Sequence, residues 1–203
     1  MLLKKIAPHI WHAEQNFKVT GILVSSRMTI VQLPSGDLWV HSPITCTPEL
    51  KKEIEQLGQV KYVIAPSKAH YLFAQQFLSH FPEAIFYTAP GLKEKCPQLP
   101  TSNVLNGVNN PWSADFDYLV FQGIPFANET VWFHHATQTL ILTDLCQWWQ
   151  GDISLSAKIF NTLTGVRQQF DVPRTVRLLV KDKAAARKSA EQILQWPIER
   201  IIV

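Results

Sequence analysis

Short apolar segments separated by turn residues fill the first third of the chain. Residues 22–26 and 28–33 are apolar and β-branched. Pro34-Ser35-Gly36-Asp37 is turn chemistry, and residues 38–41 resume an extended pattern, which predicts antiparallel strands. The period then changes. Thr47-Pro48-Glu49 combines an N-cap, a proline at the first helical position and an acid in the first turn. Leu50, Ile54 and Leu57 follow at helical spacing, and Gly58 supplies the stop. Residues 60–65 read as a buried strand, 70–81 as a helix ended by Pro82, and 84–87 as a further strand. Alternating strands and helices imply parallel crossover units.

Prolines and asparagines make the stretch 96–112 loop-like. Beyond it, residues 115–121, 129–134 and 139–145 read as strands, the last two forming a hairpin around residues 135–138. A helix over 155–163, a strand over 176–180, an Ala-rich helix over 182–194 and a strand over 198–203 complete the pattern. The expectation is one α/β domain over residues 1–203, a four-layer α-β-β-α sandwich of two mixed sheets. Its two pseudo-repeated halves span about residues 1–95 and 113–203.

Composition fits a globular chain: 46% of residues are apolar, 17% are charged, and the formal net charge is +3. The basic residues are scattered, which excludes a nucleic-acid surface as the first reading. The three cysteines, Cys46, Cys96 and Cys146, have no CxxC spacing, and an odd count without a signal-peptide pattern points to a reducing cytoplasm. No apolar run approaches a membrane span.

The order of motifs resembles the metallo-β-lactamase fold over essentially the whole chain. "LPSGDLWVHSPI" looks like that superfamily's early strand-turn-strand, "YVIAPSKAH" sits where it carries a His-x-His-x-Asp-His motif, and "TLILTDL" matches the strand ending in its metal-bridging aspartate. The resemblance implies hydrolysis at a dinuclear site holding zinc, iron or manganese. Here Pro66 and Lys68 fall at the first two histidine positions, His70 at the aspartate and Tyr71 at the last histidine. No histidine stands near Gly123-Ile124-Pro125, where another ligand is expected, and a last ligand would fall beyond Val203. Asp144 is retained, and His41 takes roughly the place of an early aspartate. A divalent metal, if bound, would fall to Asp144, His70 and His41. Since a catalytic zinc needs about three protein ligands and an open water position, the expectation is an incomplete or absent metal site.

His70 and Asp144 are the candidate catalytic pair, with His41, Lys68, Tyr71 and Cys146 around the pocket. His70 follows a strand, where it can act as a base or simply cap a neighbouring backbone group. Asp144 at a strand end needs a partner, and Lys68 or His70 can serve, Lys68 standing in for the missing cation. Cys146 or Cys46 with His70 and Asp144 would make a thiol nucleophile, against the plainer reading of inert thiols. His134-His135 looks like a metal clamp, but adjacent strand residues face opposite ways, and the hairpin position favours surface exposure. Trp148-Trp149 follows the Asp144 segment and either roofs a cleft or packs. Three functions compete: a metal-dependent hydrolase with a divergent site, a non-catalytic descendant that binds a small molecule or a protein, and a metal-free hydrolase using Cys146 or Cys46.

Overall fold

A computed structural model describes residues 2–19, 22–106, 110–149 and 155–203. Strands β1 (Lys4–Ala7), β2 (Ile10–Val19), β3 (Ile22–Gln32) and β4 (Leu38–His41) pair antiparallel in succession. The sequence pattern split β3 at Ser-Arg and left β2 unassigned. Instead β3 runs unbroken, Arg27 lying opposite Glu14 of β2. The partner strand supplies a counter-charge that pattern reading cannot see.

Helix α1 (Pro48–Leu57) follows the predicted caps, with Thr47 Oγ1 accepting from Leu50 N at 3.2 Å. Leu50 and Ile54 are its buried face. Thr47→Ala is expected to cost about 1 kcal/mol, measured as a lower urea midpoint with unchanged slope. Strand β5 (Val60–Ala65) pairs parallel to β4, and after helix α2 (Ala74–His80) strand β6 (Ile85–Thr88) pairs parallel to β5. Residues 70–73 form a turn rather than the predicted start of α2, so His70 sits in a loop. After the short helix α3 (Leu92–Lys95), strand β7 (Asn103–Val104), parallel to β6, lies in the stretch expected to be loop and completes a sheet of order β1-β2-β3-β4-β5-β6-β7.

The second sheet holds β8 (Phe116–Val120), β9 (Thr130–His134) and β10 (Thr139–Ile141), antiparallel in that order. Helices α4 (Leu155–Thr164), α5 (Arg174–Leu178) and α6 (Lys183–Ile193) lead to β11 (Arg200–Ile202), which pairs parallel to β10. The strand expected over 176–180 lies largely within α5. Its apolar residues are not a buried strand's: Leu178 is 84% exposed.

Alternation divides the strands between two faces. Leu38, Val40, Val63 and Ala65 pack under α1, α2 and α3, while Trp39, Tyr62 and Ile64 turn towards the second sheet. Strands covered on both faces carry unbroken apolar runs, as "YVIA" does. Between the sheets, Trp132 meets Trp39 at 4.9 Å, Trp112 at 5.8 Å and Tyr118 at 4.5 Å between ring centroids. The second sheet's outer face packs Val131 and Leu140 against Val176 of α5 and Ile193 of α6. The architecture is therefore helix, sheet, sheet, helix. Among the described residues, no helix is long and apolar enough to cross a membrane.

Candidate functional site at the edge of the sandwich

Side-chain and backbone bonds fix the loop after β5. Pro66 has no N–H to satisfy, and its carbonyl accepts from Thr130 N at 2.7 Å and Thr130 Oγ1 at 2.9 Å, tying the loop to the second sheet. Ser67 is fully buried, and its Oγ accepts from Ala69 N at 3.2 Å and His70 N at 3.1 Å, the local bonding that makes serine a turn former. Lys68 N donates to Ala127 O at 2.9 Å. The turn so held projects His70 from the carboxyl end of the parallel strands, where open sheets place ligands.

His70 is bonded on both sides. Its Nε2 lies 3.3 Å from Asp144 Oδ2, and its Nδ1 lies 2.7 Å from Ser42 Oγ. With the carboxylate facing Nε2, that nitrogen carries the proton of the neutral ring, and Nδ1 accepts the Ser42 hydroxyl proton. Burial pushes the His70 pKa down, but the charge and hydrogen bond of Asp144, then the charge of Glu129, outweigh it and leave it raised. Burial likewise pushes Asp144 up, and the His70 charge with bonds from His70 and Gln147 brings it below the ordinary value. The pair thus favours imidazolium with carboxylate.

Ser42 comes from the end of β4, where its N–H extends the pairing by donating to Ile64 O at 3.0 Å. Its φ is +54°, a left-handed conformation that non-glycine residues seldom adopt and that the following Pro43 further disfavours. Such strain costs about 1–3 kcal/mol and is held only by surrounding structure.

Glu129 organises the Asp144 segment. It is buried, and its carboxylate accepts from Thr143 N at 2.6 Å, Asp144 N at 3.0 Å and Leu145 N at 2.9 Å. Three consecutive N–H groups are thereby satisfied where β10 has ended and no strand partner remains. Burial, then the Asp144 charge, pushes the Glu129 pKa up to about 7 against the pull of the Thr143 N–H and His70. Sequence reading missed Ser42 and Glu129. Only the paired "His-Ser-Pro" after a strand hinted at the first, and nothing local marked the second.

The pair opens on a cleft of about 1130 Å³. Ser42, His70 and Asp144 line it along with Lys68 and Tyr71, and apolar walls come from the β2–β3 hairpin, from Trp148 and Trp149, and from β11. Both tryptophans therefore face the cleft, Trp149 fixed by its Nε1 donating to Gln147 Oε1 at 3.0 Å. Two expectations change, and the cysteines take the plainer of their two readings. Lys68 does not meet Asp144: its Nζ donates to Pro125 O at 3.0 Å, and His70 takes the carboxylate. Burial pushes the Cys46 thiol up to about 11 and the Cys146 thiol to about 12, so neither is a ready thiolate. His134 is buried, not at the surface, with Nδ1 2.8 Å from Thr137 Oγ1, because β9 is covered on both faces. His135 instead faces Asp117 at 3.2 Å, so the two rings are not a clamp.

His41 lies between the sheets, stacked on Trp39 at 5.4 Å. Burial, with the His70 charge second, lowers its pKa to about 3, so the ring stays neutral. Its Nε2 has no hydrogen-bond partner among the described residues. Also among the described residues, no three His, Cys, Asp or Glu side chains stand together as a metal-holding group.

Solved structures share this architecture. A metallo-β-lactamase from Pontibacter korlensis aligns with a TM-score of 0.65 over 96% of this chain and 86% of that one, at 13% identity. One from Erythrobacter litoralis gives 0.64 over 96% and 84%, at 12% identity. The Flv1 flavodiiron core from Synechocystis sp. PCC6803 gives 0.66 over 98% of this chain and 54% of that one, at 11% identity. At such identities the likeness shows the metallo-β-lactamase fold. No curated protein matches the chain in sequence. A family model does match, over residues 7–153, and by it the chain belongs to the family described as Domain of unknown function (DUF4336).

Proposed function

We propose that the cleft is the active site of a hydrolase acting on an ester or related acyl bond, with His70 accepting and returning the proton and Asp144 orienting it. The observation that carries this reading is the His70 Nε2–Asp144 Oδ2 contact of 3.3 Å at the cleft. A carboxylate behind an imidazole fixes the tautomer and stabilises the imidazolium formed during proton transfer. The likeness to metallo-β-lactamases adds only an analogy of fold.

The donor set does not fit the metal centre of the resemblance. His70 uses Nδ1 on Ser42 and Nε2 on Asp144, leaving no lone pair for a cation, while Glu129 is engaged by backbone N–H groups. No step is therefore assigned to a metal. His41, Lys68 and Tyr71 belong to the surroundings of the reaction rather than to proton transfer.

A panel of p-nitrophenyl esters tests the reading. His70→Ala is expected to lower kcat/KM by about a hundredfold or more, the share a positioned base contributes. The neutral ring is the base, and its pKa is raised, so the wild-type rate should fall on the acid side with an apparent pKa above 6.5. Asp144→Asn removes the charge that raises it and should move that limb to lower pH as well as slow the reaction. Equal rates in wild type and His70→Ala would end the proposal. The apolar walls favour a second reading, a small-molecule binding module, which predicts a ligand that raises Tm yet leaves unchanged.

A further inference from the structure

We propose that Ser42 is the nucleophile of this site, forming a covalent acyl-enzyme, an inference that rests on the hydrolase reading. Three observations meet at this residue. Its Oγ is 2.7 Å from His70 Nδ1, within reach of proton transfer, and the other ring nitrogen is held by Asp144. It sits at a strand end in a left-handed conformation with φ +54°, the kind of strained position that clusters at functional sites. It lines the same cleft as His70 and Asp144. Serine, histidine and aspartate thus stand in nucleophile, base and orienter order, with the two ring nitrogens exchanged relative to the usual wiring. The preceding residue adds a buried polar atom with no hydrogen-bond partner among the described residues, His41 Nε2.

The steps balance. The Ser42 hydroxyl proton passes to His70 Nδ1 as Oγ bonds to the acyl carbon. The C–O bond to the leaving alcohol breaks, and His70 returns the proton to that alcohol. Water then gives a proton to Nδ1 and attacks the acyl-Ser42 carbon, and the acid departs as Ser42 Oγ regains its proton. One ester and one water become one acid and one alcohol. Ser42 is 1% exposed, so the hydroxyl is reached only by a slim, planar acyl group entering past His70. The substrate class is therefore esters or thioesters of small or unbranched acids.

The probe follows from that shape. p-Nitrophenyl N-methylcarbamate is small and planar, and a carbamoyl-serine formed from it hydrolyses slowly. Peptide mass spectrometry should find the carbamoyl group on Ser42, with one equivalent of p-nitrophenolate released. Labelling should be lost in Ser42→Gly and cut about a hundredfold in rate in His70→Ala. Glycine suits the positive φ, so this variant should fold with Tm at or above wild type, which separates a missing hydroxyl from a misfolded chain. No carbamoyl group on Ser42 of the folded protein overturns the proposal. If Ser42→Gly hydrolyses p-nitrophenyl acetate at the wild-type rate while His70→Ala does not, water is the nucleophile and the hydrolase reading survives alone. A wild type that turns over no ester ends that reading, whatever the carbamate shows.

Discussion

Replacing Glu129 by alanine should unfold the protein roughly 10 °C below the wild type, a loss of about 3–5 kcal/mol. The carboxylate is buried and accepts three successive backbone N–H groups, from Thr143, Asp144 and Leu145. Alanine leaves all three donors without a partner and opens a cavity. Glu129→Gln should cost less, since its carbonyl oxygen can still accept, although its amide cannot replace the second acceptor. The pH dependence has a definite sign. The folded pKa, about 7, is raised above the ordinary 4.5, so ionisation is disfavoured in the folded state. Wild-type stability relative to Glu129→Gln should therefore fall as pH rises from about 4.5 to 7 and level off above, which thermal melts of both proteins at several pH values would reveal. A flat difference would show that this carboxyl does not titrate there.

Trp132→Ala is the second change expected to be severe, at about 3–5 kcal/mol by urea denaturation. Trp132 is fully buried on β9 between the two sheets. Its ring contacts Trp39 of β4, Trp112, and Phe116 and Tyr118 of β8, and its Nε1 donates to Thr130 Oγ1 at 3.2 Å. Alanine removes a side chain that touches all four rings, and rigid neighbours on both sheets cannot close the gap. Trp132→Phe keeps most of the buried area and should lose about half as much. An alanine variant with wild-type stability would mean that the inter-sheet packing collapses around the void.

Where each element's signal was local, sequence reading found it. Thr47, Pro48 and Gly58 mark both ends of α1, and the Ala-rich run expected over 182–194 is α6, with Asp182 as its N-cap. The fold followed from the order of elements, and His70 and Asp144 from their places after β5 and β10. Errors arose where partners are distant. The polar residues of β2 and β3 stay extended because each strand satisfies the other, as Glu14 and Arg27 do at 2.6 Å. Residues 174–178 form α5 despite Val176, since their apolar side chains are not the inside of a sheet. Of the two partners offered for Asp144, charge favours Lys68 as a stand-in cation, but the turn built by Ser67 carries its ammonium to Pro125 O and leaves His70 to the carboxylate. Glu129 read as one more strand residue because the backbone amides it serves lie 14 to 16 residues further along. Ser42 was hidden differently: its importance lies in a backbone angle and in a partner 28 residues away.

In the seven-stranded sheet, every strand pairs with the one that precedes it in the chain. During synthesis such a sheet can grow in step with the emerging polypeptide, needing nothing beyond Val104. The smaller sheet cannot, for Arg200 must return to Thr139 after three helices have been made. Arg27 Nη1 then donates to Val203 O at 2.5 Å, and Ile201 and Ile202 close one side of the cleft. Ser42 and His70 thus emerge early within the half-built scaffold, whereas the wall formed by Ile201 and Ile202 arrives about 130 residues after His70. The finished cleft should therefore form only after β11 has joined β10.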